Sequence, residues 1–146
     1  MSDGPHVWNL QRVIVSDGAA AQAVLDEILS EMRARQWPAS DLFAVHLAVH
    51  EALTNAVVHG NRRDPNKKVT VACRLLPDEL AVTIGDEGPG FDPHQLPDCT
   101  QPDRLDAPGG RGVALMRSFM DRVTFSDEGR TVHLTKRRSA ARGGRA

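Results

Sequence analysis

The sequence predicts an α+β fold in two layers, with helices packed on one face of a mixed, mainly antiparallel sheet. Three observations predict it. Three segments carry apolar residues at helical spacing, five short segments are rich in β-formers, and their order is strand, helix, helix, strand, strand, long loop, helix, strand, strand. That order departs from the strict alternation that builds a doubly wound parallel sheet.

Bulk properties bound the chain before any motif is read. Its 146 residues suit one domain with a single core, and 40% hydrophobic with 25% charged residues is ordinary for a soluble globule. No apolar run approaches the length of a membrane span. The N-terminal MSDGPHVW has no basic region followed by an apolar stretch, so a cytoplasmic protein with no membrane contact is expected. Cys73 and Cys99 are too few for a disulfide framework or a zinc knuckle and read as free thiols. The net charge of −1 hides an asymmetry: residues 136–146 hold five basic groups and no acidic one, which leaves 13 basic against 19 acidic groups in residues 1–135. We expect one domain over residues 1–138 and a basic, flexible tail over 139–146. Without interleaved aromatics or a recognition helix the tail does not argue for direct nucleic-acid binding.

The elements follow in order. Residues 7–15, VWNLQRVIV, are rich in β-branched and aromatic types and read as a strand. Ser16 or Asp17 then caps a helix whose stripe is Ala21, Val24, Leu25, Ile28, Leu29 and Met32, ending near Arg35 before Trp37-Pro38. Ser40 or Asp41 starts a second helix with Leu42, Val45, Val49, Ala52 and Ala56 inward. It runs as one helix to Gly60-Asn61, where glycine suits a left-handed cap. A polar loop over residues 62–68 leads to a hairpin, Val69 to Leu75 and Leu80 to Ile84, turning at Pro77-Asp78-Glu79. Residues 91–108 contain four prolines and read as a lid or binding loop. Gly109-Gly110-Arg111-Gly112 opens a third helix with Val113, Met116, Phe119 and Met120 inward, and a last hairpin joins residues 123–126 to 131–136.

The chemistry concentrates in three of these places. On a 3.6-residue wheel Glu51 and Asn55 lie opposite the buried stripe of their helix, so an acid and an amide share one face. The Asn55 oxygen is a neutral hard ligand, suited to a magnesium ion already held by phosphates. Glu51 can take a proton from, or orient, an attacking hydroxyl. Asp86 stands at a strand end, where its carboxylate can accept from an exocyclic amino group such as that of adenine. Gly88 and Gly90 let the backbone approach a flat ligand. Gly110 and Gly112 precede a helix whose first N–H groups can receive phosphate, and Arg111 can add charge-assisted bonds.

Other readings fail on spacing. His46, His50 and Glu51 invite a zinc hydrolase, but Thr54 stands where the second histidine of that motif belongs, and the two histidines read as surface or interface residues. Neither Gly-x-Gly pair is followed by the third glycine of a dinucleotide fold, and no GK[ST] phosphate loop is present. A sensor histidine kinase would need a dimerising helical pair with a phospho-accepting histidine upstream; His6 lies in no such helix.

In combination the segments resemble a known family. EALTNAVVHGN looks like the N-box, DEGPGFD like the G1 box and GGRGVALM like the G2 box of the GHKL ATPases, over residues 41–136. The HGN ending, the FD after DxGxG and the single-domain length resemble the anti-sigma-factor serine/threonine kinases most closely. The resemblance implies ATP and Mg²⁺ as ligands, with residues 91–108 as an ATP lid. It implies Glu51 as general base, Asn55 as magnesium ligand and Asp86 as the adenine-reading carboxylate. Gly88 and Gly90 would support the base pocket, and Gly110, Arg111 and Gly112 would hold phosphates. Thr131 resembles the strand threonine that closes the adenine site, although it follows Arg130 rather than a second small residue. The implied partners are a sigma factor and an anti-anti-sigma protein of the STAS type, commonly with a homodimeric kinase. A second expectation, from another class, is a non-catalytic ATP-binding module that sequesters a regulatory protein.

Overall fold

Alternation along the strands decides which sheet face meets the helices. In β2 (Lys68–Leu75) and β3 (Glu79–Gly85), Val69, Val71, Cys73, Leu75, Leu80, Val82 and Ile84 are buried. Their neighbours turn to the other face. The computed structural model describes residues 7–62, 64–89 and 110–140. β1 spans Trp8–Val15, α1 Gly18–Ala34, α2 Ala39–Thr54, α3 Gly110–Phe119, β4 Arg122–Ser126 and β5 Thr131–Arg137. Strand order is β1-β2-β3-β5-β4, and all four neighbouring pairs run antiparallel. The mainly antiparallel sheet of the sequence reading is thus antiparallel throughout these strands. Residues 91–108, the expected lid, lie outside the described residues, as do Cys99 and residues 141–146.

The helices supply the second layer. Every residue of the expected α1 stripe is buried. Val45, Val49, Ala52 and Ala56 are buried on the α2 side, joined by Ala44, Ala48 and Leu53, while Leu42 is half-buried. Each buried Leu, Ile, Val or Met side chain contributes about 1.5–3 kcal/mol. α3 packs on α2 through Val113, Met116 and Met120, and Phe119 meets Phe43 edge-on at 5.9 Å. Cys73 sits inside this core, where burial pushes its thiol up to about 12 and leaves it inert.

Three local expectations need correction. Asp17 caps α1 as expected, its carboxylate accepting from Ala20 N at 3.1 Å. Neither Ser40 nor Asp41 caps α2; the helix starts at Ala39 with Pro38 in the cap position. Asp41 is instead buried, and it accepts from Ser139 N (2.8 Å) and Ser139 Oγ (2.5 Å), with Lys136 Nζ at 3.9 Å. A tertiary partner has taken the carboxylate that local capping would have used. The first residue assigned to the tail is therefore tied to the helix layer.

The second correction concerns the long helix. It does not run on as one α-helix to Asn61. From Asn55 to Gly60 it widens into a π-helix, with Asn61 N donating to Ala56 O, five residues back, at 2.8 Å. The third is Gly60, which is not a left-handed cap; the residue after it, Asn61, ends the helix at φ −83°.

A left-handed residue does occur after α1, where no glycine stands. Gln36 N donates to Arg33 O and Trp37 N to Met32 O, the Schellman closure, with Gln36 at φ 61°. Gln36→Gly is expected to stabilise the chain by about 0.5–1 kcal/mol, the left-handed penalty exceeding glycine's extra unfolded-state entropy. A higher urea midpoint at unchanged slope checks it.

Candidate functional site

The site begins where α3 meets α2. Glu51 and Asn55 are half-buried one turn apart, and the first turn of α3 rests on them. They do not lie opposite the core as expected, because the buried Ala44 and Ala48 stand at seven-residue spacing from them on the same face. A Cβ built on Gly112 would stand 2.6 Å from Glu51 Oε2, 2.9 Å from Glu51 Cγ and 2.9 Å from Asn55 Nδ2. A side chain at this position would have to push the Glu51 and Asn55 side chains aside. The acid and the amide thus lie beside the N-terminus of α3, where the first-turn backbone N–H groups have no acceptor within the helix and the helix dipole favours an anion.

The other end of the π-helical stretch meets Asp86. A Cβ on Gly60 would run into the Asp86 carboxylate, and a Cβ on Gly88 would run into the Gly60 carbonyl oxygen. Two glycines therefore bring the turn after β3 onto the helix end. Gly88 N donates to Asp86 Oδ1 at 2.8 Å, and Asp86 N donates to Arg130 O at 3.0 Å. Burial raises the Asp86 pKa; the Gly88 N–H and the Arg130 charge oppose that rise, Asp127 adds to it and Lys67 opposes it.

Two residues that the sequence reading did not assign hold this turn. Asn61 is fully buried: its Nδ2 donates to Ser16 Oγ (2.5 Å) and Lys68 O (2.8 Å), and its Oδ1 accepts from Glu87 N (2.7 Å). It joins the helix end, the end of β1, the start of β2 and the residue after Asp86. From the other side, Arg130 Nε donates to Gly88 O at 2.7 Å and Arg130 Nη2 to Pro89 O at 3.3 Å. The available signals were the HGN ending for Asn61 and, for Arg130, a large cation where a small residue was expected.

Thr131 lies in the same region. It pairs with Gly85 across β3–β5, and Thr70 pairs with Gly85 across β2–β3. A Cβ on Gly85 would stand 2.9 Å from Thr70 Oγ1 and 3.4 Å from Thr131 Oγ1, so two hydroxyls flank the residue before Asp86. Of the residues anticipated from sequence, Glu51, Asn55 and Gly112 form one cluster, and Asp86 and Gly88 a second, with Thr131 beside it. Gly110 and Arg111 contribute backbone to the first turn of α3, and Gly90 lies outside the described residues.

Comparison with known proteins decides the family. The model of the histidine kinase-like ATPase domain matches residues 14–136, from the last two residues of β1 through all but the last residue of β5. This chain belongs to that family. Among its relatives, the anti-sigma F factor of Oceanobacillus iheyensis is 33% identical over 108 residues, covering 70% of this chain and 73% of that protein. The serine-protein kinase RsbW of Bacillus subtilis is 38% identical over 98 residues, covering 62% of this chain. The match spans only 61% of that protein's own length. In structure the chain resembles the crystal structure of the RsbU and RsbW domains of a Mycobacterium tuberculosis protein. The TM-score is 0.60 at 20% identity, covering 91% of this chain and 33% of that one. At that identity the likeness shows the fold alone. No helix among the described residues is long and apolar enough to cross a membrane.

The Gly112 contact makes a prediction for an ATPase-type domain. Gly112→Ala meets the movable ends of Glu51 and Asn55, and alanine favours the helix by about 0.8–1 kcal/mol. The melting temperature is expected to hold or rise. ATP turnover is expected to fall on the order of 100-fold, because both side chains are displaced. Thermal melts beside turnover assays check the split.

Proposed function

We propose that this chain is an ATP-dependent serine/threonine protein kinase of the anti-sigma type, acting in the cytoplasm. It binds a sigma factor and phosphorylates an anti-anti-sigma partner. One observation carries the reading: the Glu51–Asn55 face of α2 closes on Gly112 at the start of α3, while the same helix ends against Asp86. Relatives named anti-sigma F factor and serine-protein kinase RsbW support the choice of partner and acceptor. The sequence resemblance adds a STAS-type partner and a homodimer.

The residues divide the work. Asp86 accepts from the adenine amino group, with Thr131 and the Gly88 backbone around the base. The α3 N-terminus, with Gly110, Arg111 and Gly112, holds phosphate oxygens. Asn55 would offer Mg²⁺ the neutral hard oxygen of its amide, a donor type that suits a cation held mainly by phosphates. When bound, ATP supplies the phosphoryl group and Mg²⁺ neutralises phosphate charge. Glu51 would take the proton from the partner's serine or threonine hydroxyl as that oxygen bonds to the γ-phosphorus and the bond to the departing ADP breaks. The missing side chain at Gly112 leaves room for both Glu51 and Asn55 beside the start of α3, so the proton acceptor and the metal ligand can serve one substrate.

The test mixes the chain with magnesium and γ-labelled ATP and with anti-anti-sigma domains encoded in the same genome. Label on a partner serine or threonine is the expected outcome. ATP binding without transfer to any partner leaves a nucleotide-dependent sequestering module, and failure to bind ATP removes the site assignment altogether.

A further inference from the structure

We propose that Arg130 is a positioning residue of the base site, gripping the backbone that follows Asp86 and presenting its charge to the Asp86 carboxylate. The proposal rests on the nucleotide reading of the site and goes beyond it, because the family resemblance leads to a small residue at this place. The geometry has three parts. Arg130 donates from Nε to Gly88 O (2.7 Å) and from Nη2 to Pro89 O (3.3 Å), and its own carbonyl accepts from Asp86 N (3.0 Å). Backbone and side chain of one residue thus bracket the whole Asp86–Pro89 turn.

The turn carrying Arg130 is built for that reach. Asp127, Glu128 and Gly129 all adopt left-handed conformations, at φ 53°, 57° and 85°. Two of them are not glycine, and each costs on the order of 1 kcal/mol. Gly129 N donates to Ser126 O and Arg130 N to Asp127 O, which winds the turn tightly. Arg130 Nη1 in turn meets Glu128 Oε1 at 3.0 Å and Asp127 Oδ1 at 3.6 Å. These carboxylates orient the guanidinium edge that is not occupied by the Gly88 and Pro89 carbonyls.

The charged groups around Asp86 then sort by element. Arg130 and Asp127, in the β4–β5 turn, and Lys67, in the segment before β2, act on it by charge, the two cations lowering its pKa and Asp127 raising it. Neighbouring Glu87 is engaged with Lys68 N at 2.8 Å. Burial holds the Asp86 carboxyl above its usual range, and Arg130 is the largest opposing charge. An adenine-reading carboxylate must be ionised to act as acceptor only. Arg130 therefore widens the pH range over which the base site works, besides fixing the turn.

Two variants separate charge from grip. Arg130→Gln retains a donor for the Gly88 carbonyl and removes the charge; Arg130→Lys keeps the charge and loses the planar fork. The Asp86 carboxyl is titrated by carbon-13 NMR in the nucleotide-free chain, and ATP affinity is measured against pH. Arg130→Gln is expected to move the Asp86 titration, and the acid limb of ATP binding, to higher pH, with affinity at pH 8 within about tenfold of wild type. Arg130→Lys is expected to leave the titration near wild type. Asp127→Asn, at an exposed turn position, is expected to move it to lower pH and serves if Arg130→Gln does not fold. An Asp86 titration unmoved by Arg130→Gln, or by Asp127→Asn in its place, overturns the proposal. So does an affinity loss equal at every pH. If wild type binds no ATP, the nucleotide reading fails, while the nucleotide-free titration still decides whether Arg130 acts on Asp86.

Discussion

Glu51→Gln is expected to leave ATP affinity within about threefold of wild type and to lower phosphoryl transfer by about 10²–10⁴-fold. The amide has the shape of the acid, so it still fits against Gly112, where the acid oxygen lies 2.6 Å from the position of a Cβ. What it loses is the capacity to take a proton. Filter binding and single-turnover label transfer measure the two quantities separately, and transfer at the wild-type rate would falsify the base assignment. Asp86→Asn is the opposing control. It removes a charged acceptor, worth about 1.5–3 kcal/mol when bonded, so ATP affinity itself is expected to fall about 10–100-fold.

Asp86 also sets a direction with pH. Its folded pKa is raised above the ordinary 3.8, chiefly by burial. Protonation of Asp86 therefore favours the folded chain, and that contribution disappears as pH rises from the ordinary value through the folded one. ATP binding runs the other way and weakens as pH falls through the same folded value. At neutral pH Asp86→Asn removes a partly buried charge and is expected to cost binding without costing stability.

The second large effect falls on Gly88. In Gly88→Ala the new methyl would overlap the Gly60 carbonyl oxygen and lie 2.5 Å from its carbon and 2.9 Å from its Cα. These are backbone atoms at the end of a helix and cannot swing aside as a side-chain tip does. We expect a loss of about 1–3 kcal/mol in stability, and loss of ATP binding as the Asp86 turn lifts off the helix. Urea unfolding and ATP titration on the same preparation measure both. Wild-type values in both would sink the Gly60–Gly88 approach as a requirement of the site. Gly112→Ala, which meets side-chain tips, is the contrasting case: stability kept and function lost.

Much of this site was legible before any coordinates. Glu51 and Asn55 had to share a face, since they are one turn apart and off the line of Val45 and Val49, but only the packing of α3 shows that the buried Ala44 and Ala48 lie on that face too. Asp86 had to end a strand, because Leu80, Val82 and Ile84 alternate straight into it. The six-residue stripe of α1 was equally local, and all of it is buried. Thr131 was placed by resemblance alone, and its pairing opposite Gly85 puts it beside Asp86.

By itself the sequence determined the elements, their inner faces and the residue types offered to a nucleotide. Those follow from periodicity and from what each side chain can donate or accept, properties of short windows. Only the tertiary structure decided which polar group goes to which partner. Asp41 looked like a cap until Ser139, 98 residues away, claimed it. Gly60 looked like a helix stop until Asp86 and Gly88 came to lie against it. The π-helical widening at Asn55 and the reach of Arg130 to Gly88 belong to the same class. A hydrogen-bonding group takes whatever partner the packed core brings within about 3 Å, and contacts between segments distant in the chain leave no period in either of them.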